Sequence, residues 1–450
     1  MLCRKGIKLD KSKLSIKDMH LLCRELTVSP ISEYVPIQTP FKVYSQSEKF
    51  LYIPRFFRNV NIETQSHNTM PDGESISVTF QGTLKKETNQ IEASEAVLRG
   101  LRNDGGGILS LPTGFGKTTV ALYILTQLQK KTLIVVHKEF LMNQWIERIQ
   151  QFIPSAKIGK IQGSVFDVEG KDIVLGMLQS LSMKEYDNTV FSVFGCTIID
   201  ETHHVCTKTF SKMLLKFSTR YMLGLSATLE RKDGLTKVIH WFLGNILYST
   251  ERKKSKIELA THTFKHNQPF PINRMGNANM PEAINILVDI QERNQLLCKI
   301  ITECTLENRK ILVLSDRRDH CVYMMNALNH LPKSIGLYLG GMKQDELKHS
   351  ESCDVIIGTY SLAHEGLDIP SLDTLLMSTP KSNIVQAVGR ILRETPGKQN
   401  IPRVVDVVDH WGPFYAQYKK RCQYYTQLGC FDDNKDQNTK SKTNYMFLED

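Results

Sequence analysis

The chain has no uninterrupted apolar run of about eighteen residues, the length that crosses a bilayer as a helix. Its opening, MLCRKGIKLDKSKL, lacks the long apolar core of a secretory signal. A soluble, intracellular protein with no membrane partner is therefore expected. No two of the ten cysteines stand at the two-residue gap that zinc sites prefer, so they read as reduced and structural. Repeats with a period of 20–50 residues are absent, which excludes a solenoid. Compositional bias is absent too: 41% apolar and 23% charged residues exclude a fibrous or disordered chain. Acidic residues are the minority, 47 against 57 basic, and the net charge of +10 favours a polyanionic partner such as nucleic acid, although a solvated basic surface gives the same number.

With 450 residues the chain exceeds one ordinary core, so two or three units are expected. Residues 1–83 mix short apolar runs with Pro and Ser, and KVYSQSEKFLYIPRFF reads as paired strands around a polar turn at 45–47. This is a small accessory domain. Over 84–249 strand and helix patterns alternate: IEASEAVLRGL is helical, GILSLP a buried strand, KTTVALYILTQLQ helical and TLIVVH a strand, followed by DIVLGM, CTIIDE and YMLGLSAT. Residues 250–281, rich in Lys, Asn and Pro, form a connector with one strand in it. The alternation resumes over 282–430, opening on the helix EAINILVDIQERNQLLCKIITECT and continuing through KILVLS, SIGLYLG, CDVIIGT, TLLMST and RVVDVVD. Residues 431–450 are a polar tail. The class is α/β, with two tandem parallel-sheet lobes carrying helices on both faces.

The segment Leu111, Pro112, Thr113, Gly114, Phe115, Gly116, Lys117, Thr118, Thr119 lies between an apolar strand and an amphipathic helix, the setting of a phosphate-binding loop. Its backbone N–H groups can surround phosphate oxygens at the positive end of the helix, and the glycines allow the tight approach. Lys117 would contact the β and γ phosphates of ATP, and the Thr118 hydroxyl would ligate Mg²⁺. The strict pattern has Gly at the first position, where this chain has Leu111. Upstream, the Gln90 amide could read the adenine edge through paired donor and acceptor bonds, or simply cap a helix.

Farther along, CTIIDE ends a buried strand on two adjacent carboxylates. In a parallel sheet that edge is where ligands bind. Asp200 would hold the metal, and Glu201 would polarise the water attacking the γ phosphate. His203 and His204 follow without any ligand spacing around them, so a coupling role suits them better than a metal one. Ser226 and Thr228 place two hydroxyls at a further strand end and are assigned to coupling as well. In the second lobe, QAVGRILR reads as a helix bringing Gln386, Arg390 and Arg393 together at i, i+4 and i+7. The two guanidinium groups could neutralise charge developing on the γ phosphate, with Gln386 in a coupling role.

Taken in order, LPTGFGKTT, DETHH, LSATLERKDGL, IGTYSLAHEGLDIP and QAVGRILR resemble motifs I, II, III, V and VI of superfamily 2 helicases, while TLIVVHKEFLMNQW resembles motif Ia and ILVLSDRRDH motif IV. Within that superfamily, SATLERKDGL and VVDVVDHWGPFYAQYKKRCQYY resemble the group containing the excision-repair translocase of TFIIH and phage UvsW. The leader ELTVSP with FKVYSQSEKFLYIPRFF is similar to that of the transcript-release helicases of poxviruses and other large cytoplasmic DNA viruses.

The resemblance implies two RecA-like lobes with ATP between them and a nucleic-acid-stimulated ATPase that unwinds or moves along DNA, or RNA, with a 3′ to 5′ bias. It also implies a place in viral transcription beside a viral RNA polymerase or transcription factors, in host cytoplasm or virion. Strand contacts would lie at His137, Thr359 and Gly366, mostly to phosphates. Lys419, Lys420 and Arg421, interleaved with Tyr418, Tyr424 and Tyr425, would add basic and stacking contacts or else pack the tyrosines on the lobe. The competing expectations are a nucleic-acid clamp or sensor without turnover, and a translocase that remodels complexes without separating strands. No oligomeric state follows from the sequence.

Overall fold

The computed structural model describes residues 1–31, 39–58, 68–187, 189–203, 207, 209, 211–216, 218–227, 233–251, 256–362, 367, 369–393, 398 and 400–432. His204, Thr228 and Gly366, named above, lie outside them. The chain folds as two compact units, 1–251 and 252–450.

The first unit is built on an eight-stranded sheet in the order Val165–Phe166, Ile158–Gln162, Ile173–Met177, Thr132–Val136, Cys196–Ile199, Tyr221–Ser226, Gly106–Ser110, Ile246–Ser249. Every pairing is parallel except the outer Val165–Phe166 hairpin. Continuous apolar runs make these strands because both faces are covered, and successive side chains go to opposite sides. Leu133 and Val135 join one apolar cluster, Ile134 and Val136 the other. The helices Gln90–Asp104, Lys117–Leu128 and Glu139–Phe152 supply Val97, Leu101, Leu125 and Trp145 to the second cluster.

The opposite face is covered in part by the start of the chain. Leu9, Leu22, Leu51 and Phe57 belong to the same cluster as Ile108, Leu133, Val135 and Met222, and full burial of such a side chain is worth ~1.5–3 kcal/mol. Leu9 and Leu51 stand on the antiparallel strands Gly6–Asp10 and Phe50–Ile53, which pair with each other and with Leu2–Cys3 and Ser45–Gln46, whereas Leu22 comes from the helix Ile16–Glu25 and Phe57 from the loop beyond the last strand. The pairing read from KVYSQSEKFLYI is present, but Ser45–Gln46 is strand and the turn spans 47–50 rather than 45–47: the Ser47 backbone N–H donates to Phe50 O, and the Phe50 N–H donates to Ser47 Oγ. Arg55 fastens the segment. Its Nη1 donates to the carbonyls of Thr219 at 2.9 Å and Arg220 at 3.0 Å, and the Phe57 ring meets Trp241 edge-on at 5.1 Å.

The second unit has a seven-stranded, wholly parallel sheet: Ile335–Tyr338, Val355–Thr359, Ile311–Ser315, Thr374–Met377, Arg403–His410, Glu258–Lys265, Phe431–Asp432. The single strand expected within 250–281 is Glu258–Lys265, and it pairs along its whole length with Arg403–His410. The expected long helix at 282–305 is two, Met280–Asp289 and Gln291–Leu306, parted by Ile290 in an extended conformation with ψ 111°. The break lets the second helix aim Arg293 into the interior, where it meets Asp409.

Candidate active site

The phosphate-loop segment leaves the strand Gly106–Ser110 and enters the helix Lys117–Leu128. Gly114 at φ +89° and Gly116 at φ +84° adopt the left-handed conformation that side chains resist. Leu111 is absent from the positive-φ residues, so its position does not require glycine, and its side chain is fully buried in the core. The departure from the strict pattern is thus a packing choice at a position with ordinary backbone geometry. The Leu111 N–H donates to Ser226 O at 3.2 Å, tying the loop to the next strand end, and Lys117 Nζ donates to Leu111 O at 3.1 Å across the loop.

Gln90 supports this loop from beneath. Its Nε2 donates to Phe115 O at 2.9 Å and its Oε1 accepts from the Lys85 N–H at 3.0 Å. A Cβ on Gly116 would come within 2.5 Å of Gln90 Nε2, so the amide and the glycine fit one another. One amide proton and one carbonyl lone pair of Gln90 remain for a further partner.

Asp200 follows the strand Cys196–Ile199, and its N–H still donates to Val135 O at 3.0 Å. The carboxylate is held at both oxygens: Oδ1 accepts from the Glu201 N–H at 3.0 Å, and Oδ2 accepts from the indole Nε1–H of Trp145 at 2.9 Å. Burial, and then the neighbouring Glu201 carboxylate, push the Asp200 carboxyl above its usual range; the Trp145 bond and the Lys117 ammonium oppose them. Glu201 adopts φ +48°, a left-handed conformation rarely taken by a residue with a side chain, and strain of this kind gathers where function over-determines the backbone. Its Oε2 lies 3.4 Å from His203 Nδ1. The adjoining Thr202 is fully buried, with its methyl where a Cβ on Gly224 would come within 2.7 Å.

These groups share one edge. The strands ending at Val136, Ile199, Ser226 and Ser110 are neighbours with Ile199 opposite Val135 and Ser226 opposite Ser110. The loop, the carboxylate pair, buried Ser226 and His137 therefore come together at the carboxyl ends of parallel strands. The donor set suits Mg²⁺, which accepts oxygen ligands and keeps several waters: one carboxylate, Asp200, and one hydroxyl, Thr118, with no cage of three or more His, Cys, Asp or Glu among the described residues.

Three expectations are corrected. His137, expected at the strand contact, is buried, 6% exposed, and it is the following Lys138 and Glu139 that reach solvent. Arg393 does not continue the helix of Gln386 and Arg390, which is short and ends at Ile391, so i to i+7 stacking is lost. Arg421 is not a surface cation: Nε and Nη2 donate to the two Asp406 oxygens at 2.8 Å each, Tyr425 OH donates to Asp406 Oδ2 at 2.7 Å, and Arg421 is 1% exposed. Arg390 is nearly buried with its Nη1 donating to Leu367 O at 2.7 Å, Gln386 is half-buried, and Thr359 stands at the end of its strand with Oγ1 3.3 Å from Ser361 Oγ.

Sequence reasoning missed Trp145 and the buried pairs Arg293–Asp409 and Arg421–Asp406. A signal existed for the pairs, because Asp406 and Asp409 interrupt the apolar strand RVVDVVDH and a buried carboxylate needs a cation.

Comparison with known proteins agrees with this geometry. Residues 83–231 match the family model described as the type III restriction enzyme res subunit, and residues 292–395 match the helicase conserved C-terminal domain. A protein of Acanthamoeba polyphaga mimivirus that carries the name of an ATP-dependent RNA helicase is 32% identical over 443 residues, 94% of this chain and 84% of that one. A helicase-named protein of Invertebrate iridescent virus 6 is 28% identical over 407 residues, 84% of this chain and 88% of the other. The crystal structure of T4 UvsW aligns over 93% of this chain and 95% of its own at 15% identity and a TM-score of 0.39. No helix of the described residues is long and apolar enough to cross a membrane. With a glycine-turned loop and adjacent carboxylates on one sheet edge, a second parallel sheet matching the helicase C-terminal domain, and viral helicase relatives along nearly its whole length, the chain belongs to superfamily 2 as an ATP-dependent nucleic-acid helicase.

Proposed function

We propose that the phosphate loop, with Lys117 and Thr118, binds the ATP phosphates, that Asp200 and Thr118 hold Mg²⁺, and that Glu201 is the general base. The observation that carries this reading is the strained Glu201 beside Asp200, with the Lys117 ammonium close enough to oppose the rise in the Asp200 carboxyl. When bound, the metal supplies positive charge to the phosphate oxygens. Glu201 takes the proton from the attacking water, and Lys117 meets the charge that grows on the γ phosphate. Arg390 and Arg393 act on the same phosphate as arginine fingers. Because a nucleotide biases a two-state motor only through different affinities for its states, the γ-phosphate contacts are the switch, and His203, Ser226 and Gln386 transmit it.

The track is DNA by preference, with RNA as the alternative that the name of the mimivirus relative suggests. Residues around Lys138 and Thr359 contact its phosphates. The leader's likeness to those of poxvirus-type transcript-release helicases supports a role in viral transcription, beside a viral polymerase in host cytoplasm or virion. The test is ATP hydrolysis by the full chain, alone and with single-stranded DNA, duplex DNA or RNA, beside Glu201→Gln. Stimulation by one polymer, lost in the variant, supports the reading and names the track; tight polymer binding with no hydrolysis points to a clamp instead.

A further inference from the structure

Trp145 lies on the helix Glu139–Phe152, is 2% exposed, and packs in the same apolar cluster as Leu141, Met142 and Ile149. Burial by apolar neighbours explains the ring and leaves the indole N–H to be explained. A buried indole donor must find an acceptor, and this one reaches past the core to Asp200 Oδ2 at 2.9 Å. The other oxygen is taken by the Glu201 N–H at 3.0 Å. An aspartate has few rotatable bonds, so two donors on opposite oxygens leave its carboxylate one orientation. Each oxygen keeps a lone pair for another partner.

We infer that Trp145 is a positioning residue for the reaction: its indole N–H fixes the Asp200 carboxylate in the orientation that receives the Mg²⁺ shell of bound ATP. The inference rests on the reading of Asp200 as the metal-side carboxylate. A hydrogen bond to a charged acceptor is among the stronger ones in a fold, and carboxylates that serve a metal depend on outer partners of this kind to stay aimed. The bond also joins two elements. The helix bearing Trp145 directly follows the strand Thr132–Val136, so the Ia-like segment and Asp200 are connected through one side chain.

Trp145→Phe keeps an aromatic ring in the core and deletes only the donor. Binding of a fluorescent ATP analogue is measured with Mg²⁺ and with the metal chelated. In the unaltered chain Mg²⁺ tightens binding; in Trp145→Phe that tightening falls about tenfold while metal-free binding is unchanged. In an Asp200→Ala background, adding Trp145→Phe has no further effect. Unchanged tightening in Trp145→Phe, or equal loss with and without metal, overturns the inference and leaves Trp145 a packing residue. Absence of tightening in the unaltered chain defeats the Asp200 reading itself.

Should Trp145→Phe not fold, the indole N–H resonances of the three tryptophans decide. The Trp145 signal moves in Asp200→Ala and again when Mg²⁺ and ATP are added to the unaltered chain. A Trp145 signal indifferent to both overturns the inference.

Discussion

Arg293 grips Asp409 through two parallel hydrogen bonds, Nε to Oδ1 at 2.7 Å and Nη2 to Oδ2 at 2.9 Å, and neither side chain is reached by solvent. His266 Nε2 lies 3.0 Å from the same Oδ1, and the remaining Arg293 nitrogen donates to Ser378 O. The pair thus joins the helix Gln291–Leu306 to two strand ends of the second sheet.

Arg293→Met should destabilise the chain by about 3–5 kcal/mol, because it strands a buried carboxylate. Adding Asp409→Leu should recover much of that loss, since the uncompensated charge goes with it. Urea unfolding followed by tryptophan fluorescence compares the two, and a single variant within about 1 kcal/mol of the parent would sink the argument.

Lys117→Ala should abolish ATP turnover, whereas Arg393→Ala should slow it with less loss of ATP binding. Steady-state hydrolysis beside equilibrium nucleotide binding separates these effects. Normal turnover in Lys117→Ala would falsify the phosphate-loop assignment.

Gly116→Ala should raise the KM for ATP and cost about 1–3 kcal/mol of stability, the range for backbone forced into sparsely populated conformations. The new methyl meets both a positive φ and the Gln90 amide at 2.5 Å. Combining it with Gln90→Ala relieves the clash but not the backbone strain, so only part of the loss should return. Complete recovery in thermal melts would show that φ at 116 is not the constraint.

His320 gives the second unit a dependence on pH. Its ring is buried, with Nδ1 3.0 Å from Ser315 Oγ and Nε2 3.0 Å from Asn294 Oδ1. Burial, with Arg293 adding positive charge nearby, takes its pKa down to about 3. The unfolded chain binds this proton from about pH 6.5 downward while the folded chain does not. The neutral ring's contribution is therefore complete above pH 6.5 and declines below it, by up to ~1.4 kcal/mol per pH unit until the folded ring also titrates near 3. Melting temperatures between pH 8 and 5 should fall less steeply for His320→Gln than for the parent, though from a lower start. Parallel slopes would remove His320 from the account.

The parallel sheets were legible because runs such as LIVV at 133–136 and ILVL at 311–314 are apolar at every position, as strands covered on both faces are. The tight turn between strand and helix was legible from its glycines, and Gly114 and Gly116 do sit where the backbone turns left-handed. Arg393 was misplaced because ILR carries no local stop signal, and Arg390 bonds to Leu367 O from a distant part of the chain. Arg421 was ambiguous for the same kind of reason: YKKRCQYY looks basic and amphipathic, and the carboxylate that draws Arg421 inward comes from the strand before it. Trp145 was invisible because no spacing rule connects position 145 to position 200.

The family-model match begins at residue 83, yet Leu9, Leu22, Leu51 and Phe57 share an apolar cluster with Ile108, Leu133 and Val135. The border drawn by the family model and the border drawn by cohesion therefore fall at different places. In a lineage of such chains the leader cannot be exchanged as a cassette, since a substitute must match the contour of the sheet beneath it. Drift on one side of that seam should call for compensating drift on the other, so the arrangement predicts covariation between the leader and the sheet beneath it.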